Sequence, residues 1–148
     1  MGFEARDAEY ERRVRESFAR QRVMASFGIE ISWVWPGGIE LVMGFRDELT
    51  QQDGYLHAGV ISTALDSACG YAAFSLMPKE ASVLTVEFKT NLVAPAKGER
   101  FRFHAEVIKP GRTLTLCEAR AFAQDAGGEK LVATMTGTLF AMRSVPGE

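Results

Sequence analysis

The chain lacks most of the residue patterns that announce a function. Its two cysteines, Cys69 and Cys117, make no CxxC pair and no cluster with its two histidines, so neither a zinc site nor a disulfide framework is spelled out. They read as small buried hydrophobes of a reducing compartment. No histidine and carboxylate group has metal-ligand spacing, so neither a metal nor another cofactor is expected. Charge of one sign is also missing: 17 Lys and Arg stand against 19 Asp and Glu, a formal net charge of -2. That balance gives no general attraction to nucleic acid or to an anionic membrane. The start of the chain is charged and has no apolar signal core, and Arg6 stands where a myristoylation signal needs Ser or Thr. The expectation is a cytoplasmic protein. Repeats and low-complexity segments are absent, and 148 residues read as one domain with room for a real core.

What is present is one long, nearly uncharged stretch from His57 to Met77, with Asp66 as its only acid. At helical spacing, Gly59, Ser62, Thr63, Asp66, Gly70, Ala73 and Met77 share one face, and Val60, Ile61, Ala64, Leu65, Ala68, Tyr71 and Ala72 the other. A membrane span is disfavoured by the scattered Ser, Thr and Asp. The stretch reads as a buried core helix with small side chains beside a carboxylate. Such a carboxylate needs a partner or a task. A structural Asp paired with a distant Arg is the competing reading.

Around that helix the chain divides simply. Glu4 to Met24 is charged and helix-favouring, with Tyr10, Val14, Phe18 and Met24 as sparse apolar positions; residues 1–26 are assigned to an N-terminal amphipathic helix and 27–148 to a single domain. Ile29–Trp35 and Ile39–Phe45 flank Pro36-Gly37-Gly38 and predict a hairpin. Arg46 to Leu56 is a loop with Gly54 as a turn residue. Beyond Pro78, Leu84, Val86, Phe88 and Leu92 alternate with Thr85, Glu87, Lys89 and Asn91, as in a half-buried strand. Phe101–Val107, Leu114–Phe122 and Leu131–Met142 predict three more strands. Their short turns suit hairpins, so antiparallel pairing is expected. A curved antiparallel sheet wrapped around the long helix is the economical α+β solution.

The loop Gln51 to Gly59 ends where the helix begins, and a helix N-terminus presents unpaired N–H groups and positive potential. Ala58 and Gly59 leave little to obstruct an acyl group. The Ala58 amide is therefore a natural oxyanion donor, and Gln51 can bring a side-chain amide to the same place. Eight residues separate Ala58 from Asp66, about 12 Å along a helix. One helix cannot supply both groups to one acyl carbonyl, whereas two antiparallel helices from two subunits can. The site is expected between protomers.

His57-Ala58-Gly59 with an acid at Asp66, preceded by Gln51 and Gly54, resembles the PaaI-like branch of the hotdog-fold acyl-CoA thioesterases. The segments Leu84–Lys89, Pro95-Ala96 with Gly98, Gly111-Arg112-Thr113 and Leu131–Thr134 with Gly137-Thr138 resemble it as well. The resemblance implies a hotdog fold with about five to six strands around one helix. It further implies a homodimer with one continuous sheet, often a tetramer, and hydrolysis of an acyl-CoA. By that carry-over Asp66 is the catalytic carboxylate and Ala58 the oxyanion donor. Gln51 stands where the family has Asn or Gln, and His57 orients the thioester. Two departures stand out: Ala58 replaces the commoner Gly, and Gly70 lies where some relatives carry Ser or Thr.

Other positions are weaker candidates. Thr85 occupies the place of a Ser or Thr used by some relatives, but its alternation phase sets it opposite Leu84 and Val86. Lys109 and Arg112 bracket Pro110-Gly111 and either hold coenzyme A phosphates or form a solvated hairpin tip. His104 reads as a surface residue, and Cys69 has no base beside it. Asp66 would act as general base on water or attack the thioester directly, on an acyl group of medium length or of aryl-acetyl type. A hotdog dehydratase and a non-catalytic acyl-CoA sensor are the alternatives.

Overall fold

The apolar stretch becomes helix α3, Ala58–Phe74, in a computed structural model that describes residues 2–143. His57 stands at its N-cap in extended backbone (φ -61°, ψ 138°), and its Nδ1 accepts the Gly59 N–H at 2.8 Å. The helix stops at Ser75, whose buried hydroxyl donates to the Ala72 carbonyl at 2.7 Å and accepts the Gly37 N–H at 2.8 Å. That one hydroxyl ties the helix end to the hairpin turn. Among the described residues, no helix is long and apolar enough to cross a membrane.

Six strands surround α3: β1 (Ile29–Trp35), β2 (Gly38–Gly44), β3 (Ser82–Leu92), β4 (Arg100–Lys109), β5 (Leu114–Asp125) and β6 (Gly128–Met142). They form one antiparallel sheet in the order β1-β2-β4-β5-β6-β3, and α3 packs on it. The alternation read in β4 holds: Phe101, Phe103, Ala105 and Val107 are all buried. Ala64, Leu65, Ala68 and Ala72 of α3 meet this face with no exposed surface. Small helix residues let the sheet come close; a Cβ built on Gly137 would lie 3.7 Å from the Cys69 side chain.

Three expectations are corrected in detail. The N-terminal segment is not one helix from Glu4 to Met24 but two, α1 (Tyr10–Arg20) and α2 (Arg22–Phe27), broken at Gln21, whose backbone is extended. Gly28 ends α2 in the left-handed region, φ 71°, where a side chain would be strained. Residues 144–148 of the expected 27–148 domain lie outside the described residues.

The second correction concerns pairing. β3 and β4 do not form a hairpin. Between them the chain crosses the end of the sheet, with Val93 N–H bonded to the Val132 carbonyl and the Ala96 carbonyl bonded to Leu56 N–H. Pro95 in that crossing denies a tight two-residue turn. β4 therefore pairs with β2, and β3 pairs with β6 at the opposite edge.

The third concerns the phase of β3. A bulge between Thr85 and Glu87 inserts Val86 and switches the alternation. Thr85 sits across from buried Leu139, while Phe88 and Leu92 sit across from Gly137 and Ala133. Leu84, Val86, Phe88 and Leu92 remain 51%, 56%, 45% and 57% exposed, because β3 is an edge strand of the sheet.

Candidate active site

The loop before α3 is built around Gln51. Its side-chain Oε1 accepts the N–H groups of Asp53 (2.6 Å) and Tyr55 (3.2 Å). With the oxygen occupied locally, the amide NH2 is the end left to donate outward. Gly54 makes the turn with φ 87° and nothing within 4 Å of a built Cβ. Its visible contribution is conformational, since few other residues adopt that backbone.

At the helix entrance the first N–H groups have unequal fates. Val60 and Ile61 bond back to the His57 carbonyl at 2.9 and 3.3 Å, and Gly59 bonds to the His57 ring. The Gly59 N–H is thus consumed by the cap. Ala58 N–H has no partner among the described residues. It is the free donor, in an exposed position at the positive end of α3. Because a backbone N–H must donate, Nδ1 of His57 is an acceptor. The neutral ring then carries its proton on Nε2, a second donor beside Ala58. Gln51, Tyr55, Ala58, Leu92, Val93 and Ala96 line a groove here of about 440 Å³.

Asp66 faces a different cleft, of about 390 Å³. Thr85 Oγ1 donates to its Oδ1 at 2.7 Å, which the bulge in β3 makes possible. Burial raises the Asp66 carboxyl above the usual aspartate range, and the Thr85 hydrogen bond holds part of that rise back. The result is a carboxylate more basic than in water, yet oriented by a donor. No Lys, Arg or His salt bridge reaches it among the described residues. The structural ion-pair reading of Asp66 therefore has no partner to name. Among these residues no group of three His, Cys, Asp or Glu side chains is arranged to hold a metal ion.

A model of the thioesterase superfamily matches residues 53–130, more than half of the chain and the segment that carries Ala58, Asp66 and Thr85. The chain belongs to the thioesterase superfamily. It is 60% identical to a thioesterase family protein from Silicibacter pomeroyi whose crystal structure superposes with a TM-score of 0.90, over 91% of this chain and 99% of that one. A protein of Saccharolobus solfataricus named "Putative esterase" is 30% identical over 135 residues, 91% of this chain and 87% of its own. The PaaI protein of Escherichia coli, from the phenylacetic acid degradation operon, shares the fold at a TM-score of 0.82 and 15% identity, over 93% and 96% of the two chains. The architecture is the PaaI-like hotdog.

In this superfamily member the sequence reading missed the second wall of the Asp66 cleft. Arg13, Ser17, Arg20 and Gln21, from α1 and the break after it, face Asp66 across that space. Gln21 Oε1 accepts from the Ser67 hydroxyl at 3.2 Å, next to Asp66 in sequence, and Ser17 Oγ lies 3.2 Å from Tyr71 Oη. The available signal was that Ser17 and Gln21 interrupt the apolar stripe of Tyr10, Val14 and Phe18. A polar break in a buried stripe marks a wall that is not simply packed.

The remaining candidates separate from both grooves. Arg112 lies in the β4–β5 turn, at a third cavity that neither Ala58 nor Asp66 lines. His104 is half-buried on the sheet, 3.1 Å from Glu106 and 3.5 Å from Glu40. Cys69 is buried with its thiol pushed far up by desolvation, which makes it inert as a nucleophile.

Proposed function

We propose that this chain hydrolyses acyl-CoA thioesters, with Asp66 as the carboxylate that activates water or attacks the carbonyl carbon. Water and thioester are consumed, and free acid and the coenzyme A thiol are released. Ala58 N–H and the Gln51 amide receive the negative charge that develops on the carbonyl oxygen. His57 Nε2–H and Thr85 orient the thioester and the carboxylate. Gly59 and Gly54 keep the entrance narrow in side chain and correct in backbone. The acyl group is of medium length or aryl-acetyl type, and the enzyme works in the cytoplasm.

The observation that carries this reading is the pairing, on one helix, of an unbonded N-terminal N–H with a half-buried carboxylate held by a hydroxyl. The two lie about 12 Å apart along the axis, too far to serve one carbonyl. A second protomer removes the difficulty. β3 runs the length of α3's open face, with Thr85 at the Asp66 cleft and Leu92 at the Ala58 groove. Its free edge pairs antiparallel with the same edge of a second copy. A two-fold axis near the middle of β3 then sets Thr85 of one chain against Leu92 of the other. Each composite site receives Asp66 from one chain and Ala58 from its partner, in a homodimer that the family pattern extends to a tetramer.

The test is turnover of a panel of straight-chain and aryl-acetyl CoA thioesters, read by release of free thiol. Hydrolysis of at least one class at catalytic rates is expected. Saturable acyl-CoA binding without thiol release would instead identify a sensor and overturn the enzymatic reading.

A further inference from the structure

A third cavity, of about 180 Å³, lies between the N-terminal segment, the end of α3 and the β4–β5 turn. Arg6, Arg112 and Arg143 line it, and Glu4 is its only acid. A lining with three guanidiniums against one carboxylate is unusual on a chain whose net charge is -2. Among the described residues, only Arg143 of the three has an acidic partner. Arg143 Nη2 donates to the Arg112 carbonyl at 3.0 Å and Nη1 stands 3.8 Å from exposed Glu80. Among the described residues, the Arg6 and Arg112 guanidiniums have no hydrogen-bond or ion-pair partner. Like charges gathered in one concavity repel unless an anion joins them. The Arg143 bond to the backbone of the turn holds Arg112 and Arg143 on the same rim, and Phe3 and Pro110 supply apolar walls.

We propose that this cavity holds the phosphates of the substrate's coenzyme A, with Arg6, Arg112 and Arg143 as their ligands. The assignment rests on the acyl-CoA reading above. Planar guanidiniums bind phosphate oxygens in pairs, which ammonium groups do not. The place also fits the length of the substrate. Ala73, on the cavity wall, follows Asp66 by seven positions on α3, about 10 Å along the axis. The pantetheine arm of coenzyme A bridges a separation of that order between its thiol and its diphosphate. The nucleotide thus sits outside the catalytic cleft, and the cavity contributes binding rather than chemistry.

Three substrates with one acyl group test this: the CoA thioester, the dephospho-CoA thioester and the N-acetylcysteamine thioester, which has no nucleotide. For Arg6→Gln with Arg112→Gln, KM for the CoA thioester should rise about tenfold or more, the usual worth of a charge-assisted hydrogen bond or two. kcat should hold, and turnover of the N-acetylcysteamine thioester should not change. The wild-type preference for CoA over dephospho-CoA should shrink in the variant. Equal losses on CoA and N-acetylcysteamine thioesters, or no loss on either, overturn the assignment. A separate calorimetric titration uses adenosine 3′,5′-bisphosphate and needs no turnover. Wild type should bind it and the double variant should not, even if no thioester proves to be hydrolysed. Absence of wild-type binding, or binding of inorganic phosphate just as tightly, refutes a nucleotide site.

Discussion

Mixed dimers give the most direct test of a site divided between two chains. Two inactive variants are needed, one at each end of α3. Asp66→Asn removes the carboxylate but keeps an oxygen that accepts from Thr85, and loss of a general base costs ~10²–10⁴-fold in rate. Ala58→Pro removes the one N–H at the helix entrance that no other group uses among the described residues. The structure supplies the reason this variant folds. Ala58 is the first residue of α3, the helical position that tolerates proline best. His57 before it is already extended, at φ -61° and ψ 138°, as a residue preceding proline must be. Each homodimer should be inactive. In the mixed dimer one site collects both defects and the other collects neither, so a verified heterodimer should recover about half of wild-type activity. Differently tagged subunits, co-expressed and purified through both tags, allow a thiol-release assay on heterodimer alone. If heterodimers form and remain as inactive as the parents, each site is built within one chain, and Ala58 and Asp66 do not share a thioester.

Asp66→Asn should also stabilise the protein at pH 7. The folded-state pKa is raised by burial, so Asp66 contributes its stability below the unfolded value of about 3.9 and loses it as pH rises through the folded value; wild-type and variant melting curves should converge in acid. Thr85→Ala removes the hydrogen bond that holds the Asp66 carboxyl down, so the acid limb of kcat/KM should move to higher pH and return with Thr85→Ser. Gln51→Ala should lower kcat by about tenfold or more, less than Asp66→Asn, within the scale of a single oxyanion donor; unchanged kinetics would mean that the loop does not reach the carbonyl. Ser75→Ala should cost about 1–3 kcal/mol in denaturant unfolding, because it leaves the Gly37 N–H unpaired in the core.

The sequence reading succeeded where one local pattern decided the outcome. The long helix, the Pro-Gly-Gly hairpin and the alternation of β4 are set by neighbours in sequence, and all three stand in the fold. The open face of α3 appears as read at Ser62, Thr63, Asp66 and Gly70, which are only half-buried while Ala64, Leu65 and Ala68 are fully buried; Ala73 and Met77, read on the same face, are buried instead. Pairing order was not legible, because it depends on where the Pro95 crossing carries the chain rather than on any strand's composition. The β3 bulge was not legible either. Alternation assumes a period of two residues, and one inserted residue, Val86, reverses every face before it relative to those after it. That single event moved Thr85 from the wrong face onto Asp66. The fate of the Gly59 N–H was hidden for a related reason: histidine is not among the usual N-cap residues. Only the geometry shows its ring taking the role of an Asp or Ser oxygen.

Strand β3 connects these observations to the proposed dimer. Alone, it is a long edge strand with several large apolar residues exposed, the kind of edge that pairs with any other available strand. It contains no proline to block pairing on its free side. The bulge that twists it does not shield it; instead it turns the Thr85 hydroxyl toward Asp66. The same strand ends at Leu92 and Val93 in the wall of the Ala58 groove. That edge carries one residue for each half of the proposed site, Thr85 and Leu92, toward its two ends. Covering it with a second copy in antiparallel register removes the exposed apolar surface and superimposes opposite ends. In the proposed dimer, burial of Leu84, Val86 and Phe88 would supply the free energy that holds Asp66 of one chain against Ala58 of the other. Substituting Val86 with a charged residue should separate the chains and abolish turnover together, with Asp66, Thr85 and Ala58 all still in place.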